Sequence, residues 1–540
     1  MVVLKDIKIK RIIFDYLFIL TVMRIFCSLF LLLNIMMSVV YAQHHNITIT
    51  TSNLPNEPSI MIDPKNPDRI MAANNISHYH TSLDGGITWE YGNLTSPLGV
   101  WGDPCIIVDT LGNFYFFHLS VVPGEEWIDR IVCQRTDNMG SAWTPGTGIG
   151  HVPGKQQDKE WAIVNPYTNE IYVTWTQFDV YGSENPNDSS IIRFSKSIDQ
   201  GETWSEPVRL SKVAGDCIDE DNTVEGAVPT VGSEGQIYTS WSGPAGIVFD
   251  RSLDGGITWL ENDIFIDEHA GGWDQSIPGI GRCNGMPVTD CDRSNGPHRG
   301  TIYINFTDQR NGSTNTDVWL VKSTDGGDTW SAPVKVNDDE SGKHQFFTWM
   351  TVDQVTGKIW FVFYDRRNYP DVRTDVYMAV SDDGGETFTN FKVSEEPFIP
   401  DTGHFFGDYN NISAVNDVVR PIWTRLHNGQ MSILTAIVDP LIINAETKSL
   451  VPYADAQVSP NPFNHNTAFS FKLHHPATVS LSVNDITGRK VIALVSNRLM
   501  LPGKYSRMIE AEGFSLKPGV YYFVLTIDGI TTSKKVIYTP

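Results

Sequence analysis

Ser252-Leu253-Asp254-Gly255-Gly256-Ile257-Thr258-Trp259 is one of five full copies of the pattern Ser-x-Asp-x-Gly-x-Thr-Trp/Phe in this 540-residue chain. The others begin at Ser82, Ser197, Ser323 and Ser381, the last ending in Phe388 instead of tryptophan. A sixth, Thr136-Asn138-Gly140-Trp143, is degenerate. A motif that returns at intervals marks a repeat architecture, in which each unit buries its apolar face only against its neighbours.

Working outward, each copy is preceded by an apolar strand, a turn rich in Gly, Asn or Asp, and a second strand ending in aromatics. In the third unit these are Trp161 to Asn165, Ile171 to Trp175 and Ile191 to Ser195; in the sixth, Trp349 to Asp353, Ile359 to Tyr364 and Val376 to Ser381. Four strands per unit is the make-up of a propeller blade. The expected fold is therefore all-β: a β-propeller of seven blades, with six as the alternative, followed by a small C-terminal β-sandwich. The units begin near Glu57, Asp103, Glu160, Glu225, Met286, Phe346 and Asp408. The last lacks the motif and has only three strands of its own. Ile47 to Thr51 is predicted to supply the fourth and to close the ring, leaving no open sheet edge.

A net charge of -23 and a pI near 4.9 exclude a nucleic-acid partner, which needs a basic surface. Residues 1–42 read as a signal peptide whose true start is Met23: Arg24 supplies the charge, Ile25 to Met37 the apolar region, and Val40-Tyr41-Ala42 the cleavage site. An uncleaved anchor is the alternative; no stable membrane span is expected in the mature protein. Removal of Cys27 leaves five cysteines, with a local disulfide between Cys283 and Cys291 expected and Cys105–Cys133 as a second pairing.

The repeated motif resembles the Asp-box, or bacterial neuraminidase repeat, and residues 43–440 resemble the sialidase-like propellers. In the box the Asp side chain accepts hydrogen bonds from turn amides, a Gly takes positive φ, and the Trp packs between sheets. The resemblance implies that Asp84, Asp199, Asp254, Asp325 and Asp383 are structural and lie away from the ligand face. After a linker over 441–456, residues 457–540 resemble the C-terminal sorting domain of the type IX secretion system. They carry Pro460-Asn461-Pro462-Phe463 at the opening and Gly519-Val520-Tyr521-Tyr522 near the end. This implies export by that machinery to the surface or surroundings of a Gram-negative bacterium of Bacteroidetes type.

Ligands of propellers meet the face where the innermost strands begin, and the residues leading into those strands are largely acidic: Glu57, Asp103, Asp158, Glu160, Glu225 and Asp408. Such a ring could hold a cation, supply a general acid or accept sugar hydroxyls. Loops on the same face carry Asp308-Gln309-Arg310-Asn311, Asp365-Arg366-Arg367-Asn368 and Arg425. Three arginines bind the substrate carboxylate in sialidases, which makes Arg310, Arg367 and Arg425 candidates; an ion pair of each Asp with its own Arg is the competing reading. Tyr409 or Tyr364, with Glu225 or Glu160 and with Asp103 as the acid, is the candidate catalytic set. Against an enzyme, the Arg-Ile-Pro segment expected before the first box is replaced by Asn56-Glu57-Pro58-Ser59-Ile60.

Two function classes follow: a propeller that binds glycan or protein ligands opposite its Asp-boxes, and an exo-sialidase or related glycoside hydrolase. Trp101, Trp127, Trp161 and Trp273 offer stacking faces for sugar rings under the first reading. No cofactor is expected. Calcium is the one ion considered, on Asp216, Asp219, Glu220 and Asp221, although their spacing matches no known calcium loop.

Overall fold

The structure, a computed structural model, describes residues 44–438, 456–473, 477–486, 488–501, 503–514, 516–527 and 530–540. The signal peptide with its Met23 start, Cys27 and residues 441–455 of the linker lie outside the described residues. Up to Val438 and from Ala456 onward the described residues fall into two separate compact units.

The first unit contains seven four-stranded antiparallel sheets and no helix among the described residues. In six sheets the strand order follows chain order. The seventh contains Asn411–Val415, Val418–His427 and Gln430–Ile437, and takes its fourth strand from the chain start, His45–Thr50. That strand pairs with the last, His45 opposite Ile437 and Thr48 opposite Leu434, so the ring closes through hydrogen bonds between residues nearly 400 positions apart. The count is seven blades, and the six-bladed alternative falls.

Each sheet is covered on both faces by neighbouring blades, which is why the second strands read as continuous apolar runs without alternation. Phe114–Val121 and Ile359–Asp365 are buried almost throughout. The apolar clusters accordingly sit between blades: Tyr172, Ile192 and Phe194 of the third meet Ala227, Ile237 and Trp241 of the fourth.

The repeated motif forms the hairpin between third and fourth strands. In the first blade Asp84 Oδ1 accepts from the amides of Ile87 (3.0 Å) and Thr88 (2.9 Å), while its Oδ2 accepts from the Thr88 hydroxyl at 2.6 Å. The two Thr bonds recur at Asp199, Asp254, Asp325 and Asp383. The fifth motif position must be glycine because the preceding blade packs directly on it. A Cβ on Gly256 (φ +84) would stand 2.5 Å from the Phe194 ring, and one on Gly327 (φ +96) 2.4 Å from Phe249. The motif Trp then lies against that same aromatic, Trp259 on Phe194 at 4.9 Å and Trp330 on Phe249 at 5.1 Å.

A cation completes four of the seven joints. Lys196, Arg251 and Lys322 each immediately precede the Ser of their own motif, and each donates to a hairpin glycine carbonyl of the next blade: Gly255 (2.7 Å), Gly326 (2.5 Å) and Gly384 (2.8 Å). The sixth blade, whose successor lacks the motif, has Val380 at that position. At the closing joint Arg420 of the seventh blade donates to the Gly85 carbonyl of the first at 2.7 Å. Burial lowers the Arg420 guanidinium to about 10, which leaves it charged at neutral pH.

The C-terminal unit is a β-sandwich of a three-stranded sheet and a four-stranded one, seven strands over Gln457–Tyr538. Phe469, Val479, Leu481, Phe523 and Leu525 form its core.

The expected disulfides are absent: all five described cysteines are free and buried. Cys105 and Cys133 both pair with Phe117, from opposite sides, so a full strand separates them by about 10 Å, beyond disulfide reach. Cys283 and Cys291 are held apart by the extended strand Val288–Cys291.

Replacing Arg420 by Met removes the charged donor at the closing joint and leaves the Gly85 carbonyl unpaired. The propeller should lose about 2 kcal/mol in urea unfolding, whereas Val380→Lys, with no hairpin carbonyl opposite, should change stability by less than about 0.5 kcal/mol.

Candidate functional site

Where the innermost strands begin, several blades deliver their first residues to the axis in an unusual backbone conformation. Glu57 (φ 49), Asp103 (φ 52), Lys159 (φ 51) and Phe347 (φ 49) all occupy the left-handed region, as does Gly226 (φ 75). For bulky residues this costs energy and persists where surrounding structure imposes it, commonly at functional sites. Bulges follow at once, between Asp158 and Trp161, Glu225 and Val228, and Phe346 and Trp349. They re-aim the side chains at the strand starts toward the axis.

The result is an ion network. Lys159 Nζ lies 2.7 Å from Asp408 Oδ2 and 3.2 Å from Asp103 Oδ2, with all three residues buried. Arg282, from the long connection between fourth and fifth blades, grips Asp408 through Nε (2.9 Å) and Nη2, and reaches Asp219 through Nη1 at 3.0 Å. Asp219 also accepts from the Tyr181 hydroxyl at 2.7 Å. Glu57 accepts from Asn75, which in turn accepts from the Asp103 amide.

The electrostatics divide the carboxyls into two sets. Burial opposes the charge on Asp408, yet Lys159 and Arg282 overcome it and hold the group well below the usual carboxylate range. Burial together with Asp103 pushes Glu57 and Glu160 well above theirs, and burial with Asp219 does the same to Glu225. Asp158 is raised to about 7 by burial, which Lys159 offsets and Asp103 and Asp219 reinforce. Both carboxyl oxygens of Glu160 are buried without a hydrogen-bond partner. The centre therefore combines charges fixed by Lys159 and Arg282 with carboxyls whose charge burial and neighbouring acids disfavour.

Tyr409 lies beneath, 5.0 Å from the Trp161 ring, and Trp161 is 4.4 Å from Trp349. On the far side of these aromatics the axis holds a cavity of about 430 Å³ that extends to Pro64, Tyr167 and Val355 at the turns after the innermost strands. Tyr409 is buried, and burial with Asp103 and Glu57 raises its hydroxyl well above the ordinary value, the opposite of what an activated nucleophile needs.

The three candidate arginines share no partner. Arg310 bonds Asp308 through Nε (2.8 Å) and Asp267 through Nη2 (2.8 Å), and lies 4.4 Å over the Trp319 ring. Arg367 bonds Asp365 (2.7 Å) and Asp338, 4.3 Å over the Tyr377 ring. Arg425 Nε is buried without a partner. Asp308 and Asp365 thus each hold the Arg two positions on, and the cations within the axial network are Lys159 and Arg282, neither of which stood out in the sequence. Lys159 is hidden between two acids, and Arg282 comes from a connection with no repeat register.

Trp101 and Trp127 are exposed, 41% and 42%, and meet edge to face at 6.1 Å; Trp127 continues to Tyr181 at 5.5 Å. Trp161 and Trp273 are buried and unavailable for stacking, because the bulge turns Trp161 inward and Trp273 packs beside Gly226. Across the network Phe405, half exposed, lies 5.2 Å from the Arg282 guanidinium. The calcium candidates diverge: Asp216 accepts from the Thr223 hydroxyl, Asp219 from Tyr181 and Arg282, and Asp221 from the Asp274 amide. Among the described residues the one triad with converging metal-ligand atoms is Glu125, Asp129 and His151, and Arg130 already bonds both its acids.

Residues 457–539 match the family described as the secretion system C-terminal sorting domain. The chain therefore engages secretion machinery of type IX and is exported to the cell surface or beyond. No helix among the described residues is long and apolar enough to cross a membrane. No curated protein matches the chain. Among solved structures it is similar to the Hadza microbial sialidase Hz136 (15% identity, 69% of this chain and 74% of that one, TM-score 0.38). It is also similar to a PL25 ulvan lyase (13%, 75% and 100%, TM-score 0.46) and to YCF48 bound to a D1 peptide (11%, 74% and 96%, TM-score 0.39).

Lys159→Met would leave Asp408 buried against Arg282 alone and Asp103 without a cation, with an expected loss of about 3 kcal/mol near neutral pH. A carboxylate whose pKa is depressed on folding stabilises above its unfolded value, and that contribution is lost as pH falls through the folded one. The gap between wild type and variant should therefore be full at pH 7 and narrow as pH falls below about 4. Thermal melts across that range check it.

Proposed function

We propose that this protein is an exported glycan-binding propeller whose ligand lies across the mouth formed by Trp101, Trp127, Tyr181 and the Arg282–Asp219–Asp408 network. The observation that carries the reading is the exposed Trp101–Trp127 pair adjoining that network. Indole faces supply apolar area for sugar rings, and fixed carboxylates and guanidinium groups beside them orient hydroxyls. A rigid ring scaffold favours such a site, since little ordering is needed on binding. The sorting domain supports a role outside the cell, where glycans are abundant surfaces.

A second reading, an exo-acting glycoside hydrolase, is favoured by Asp158, raised to about 7 and so suited to general-acid work near neutrality. Against it stand the buried Tyr409 and the arginines tied into their own blades.

A glycan array followed by titration calorimetry separates these readings. Binding by the full chain, weakened about tenfold by Trp101→Ala or Trp127→Ala, is expected, which corresponds to about 1.4 kcal/mol. No hydrolysis of fluorogenic sialosides or of neutral aryl glycosides should accompany it. Turnover that Asp158→Asn abolishes would instead establish the hydrolase.

A further inference from the structure

We infer that the sugars recognised at this mouth carry protonated amino groups, so that the ligand is a cationic aminoglycan of the glucosamine-oligomer type and not an acidic glycan. This deepens the glycan-binding reading and rests on it. The first observation is charge. Asp103, Asp158, Glu160, Asp219, Glu225 and Asp408 crowd round Lys159 and Arg282, and both cations are already committed, Lys159 to Asp103 and Asp408 and Arg282 to Asp408 and Asp219. Neither Lys159 nor Arg282 is free to receive a sugar carboxylate, Arg310 and Arg367 on adjacent blades are held by Asp308 and Asp365, and Arg366, which has no acidic partner among the described residues, is 3% exposed.

The second observation is acid charge without compensation, which an incoming cation would supply. Glu160 is 1% exposed, sits in the field of Asp103 and Asp158, and has no hydrogen-bond partner on either carboxyl oxygen. At the rim Asp221 and Asp274 are exposed and adjacent, the Asp274 amide donating to Asp221 Oδ1 at 2.9 Å. Burial raises Asp274, and Asp221 and Asp219 raise it further, with Arg282 alone acting in the other direction. An ammonium group is compact and brings three donors and no acceptor, which suits it to a site of grouped carboxylates.

The third observation is placement. Trp101 stands two residues before Asp103, and Trp127 reaches Asp219 through Tyr181. A sugar ring stacked on the indoles would thus hold an amino substituent toward the acids.

Titration calorimetry on the full chain with a six-sugar glucosamine oligomer, its fully N-acetylated counterpart and a sialyl-lactose tests this, because acetylation removes the charge and keeps the rings. The glucosamine oligomer should bind at least about tenfold more tightly than the acetylated one. Raising NaCl from about 50 to about 500 mM should erode that preference. The double variant Asp221→Asn/Asp274→Asn, at two exposed positions, should lower affinity for the glucosamine oligomer about tenfold. Equal or tighter binding of the acetylated oligomer or of the sialyl-lactose, lost in Trp127→Ala, would overturn the amine preference while leaving glycan binding intact. Absence of glucosamine-oligomer binding overturns the inference as well, and the array then decides separately whether any glycan binds.

Discussion

At four of the seven joints a cation reaches across to a hairpin glycine carbonyl of the next blade. Lys196, Arg251, Lys322 and Arg420 make this bond, and the glycine beside each carbonyl is the one on which the preceding blade packs. Hydrogen bonds from charged donors are roughly twice as strong as neutral ones. They also have direction, which apolar packing between two flat sheets lacks. The hairpin aspartates tie their turns so that these carbonyls face the right way, and closure by His45–Thr50 removes the last free edge.

A closed ring of this kind forces seven strand starts onto one axis, and the chemistry of the mouth follows from that crowding. Glu57, Asp103, Lys159 and Asp408 come from four blades separated by up to 351 positions, a difference read directly from 408 and 57. Like charges brought so close disfavour one another: Glu57, Glu160 and Glu225 are pushed upward, while Asp408 is held low by Lys159 and Arg282. The aromatic layer of Trp161, Trp349 and Tyr409 walls this polar centre off from the cavity on the opposite side. Under the proposed function, ligand recognition and scaffold stability would share residues at the axis, whereas Trp101, Trp127, Asp221 and Asp274 lie at the rim, away from the joints.

The fold was legible because its signals are local and repeated. Five full hairpins and one degenerate one mark six blades, and the strand spacing after Asp408 reveals the seventh. The acids of the mouth were legible for the same reason, since each occupies the same place in its repeat. What could not be read depends on direction and on connections outside the repeat. Arg282 enters from a twenty-residue connection between Asp267 and Val288 that no other blade reproduces. Trp161 looks like an available ring until the bulge behind Asp158 turns it inward. Arg310 and Arg367 invite the reading of a carboxylate clamp, yet an Asp two positions earlier satisfies each one locally. The cysteines mislead because chain spacing does not report that a strand lies between the thiols.

The proposed ligand site is the acidic, aromatic mouth and not the hairpin face. Amide hydrogen exchange of the full chain, with and without the glucosamine oligomer, tests it most directly. Protection concentrated in residues 98–104, 216–222, 273–284 and 401–409, with the hairpins at Ser82, Ser197, Ser252, Ser323 and Ser381 unchanged, is the predicted result. Protection centred on those hairpins, or none at the mouth, would contradict it.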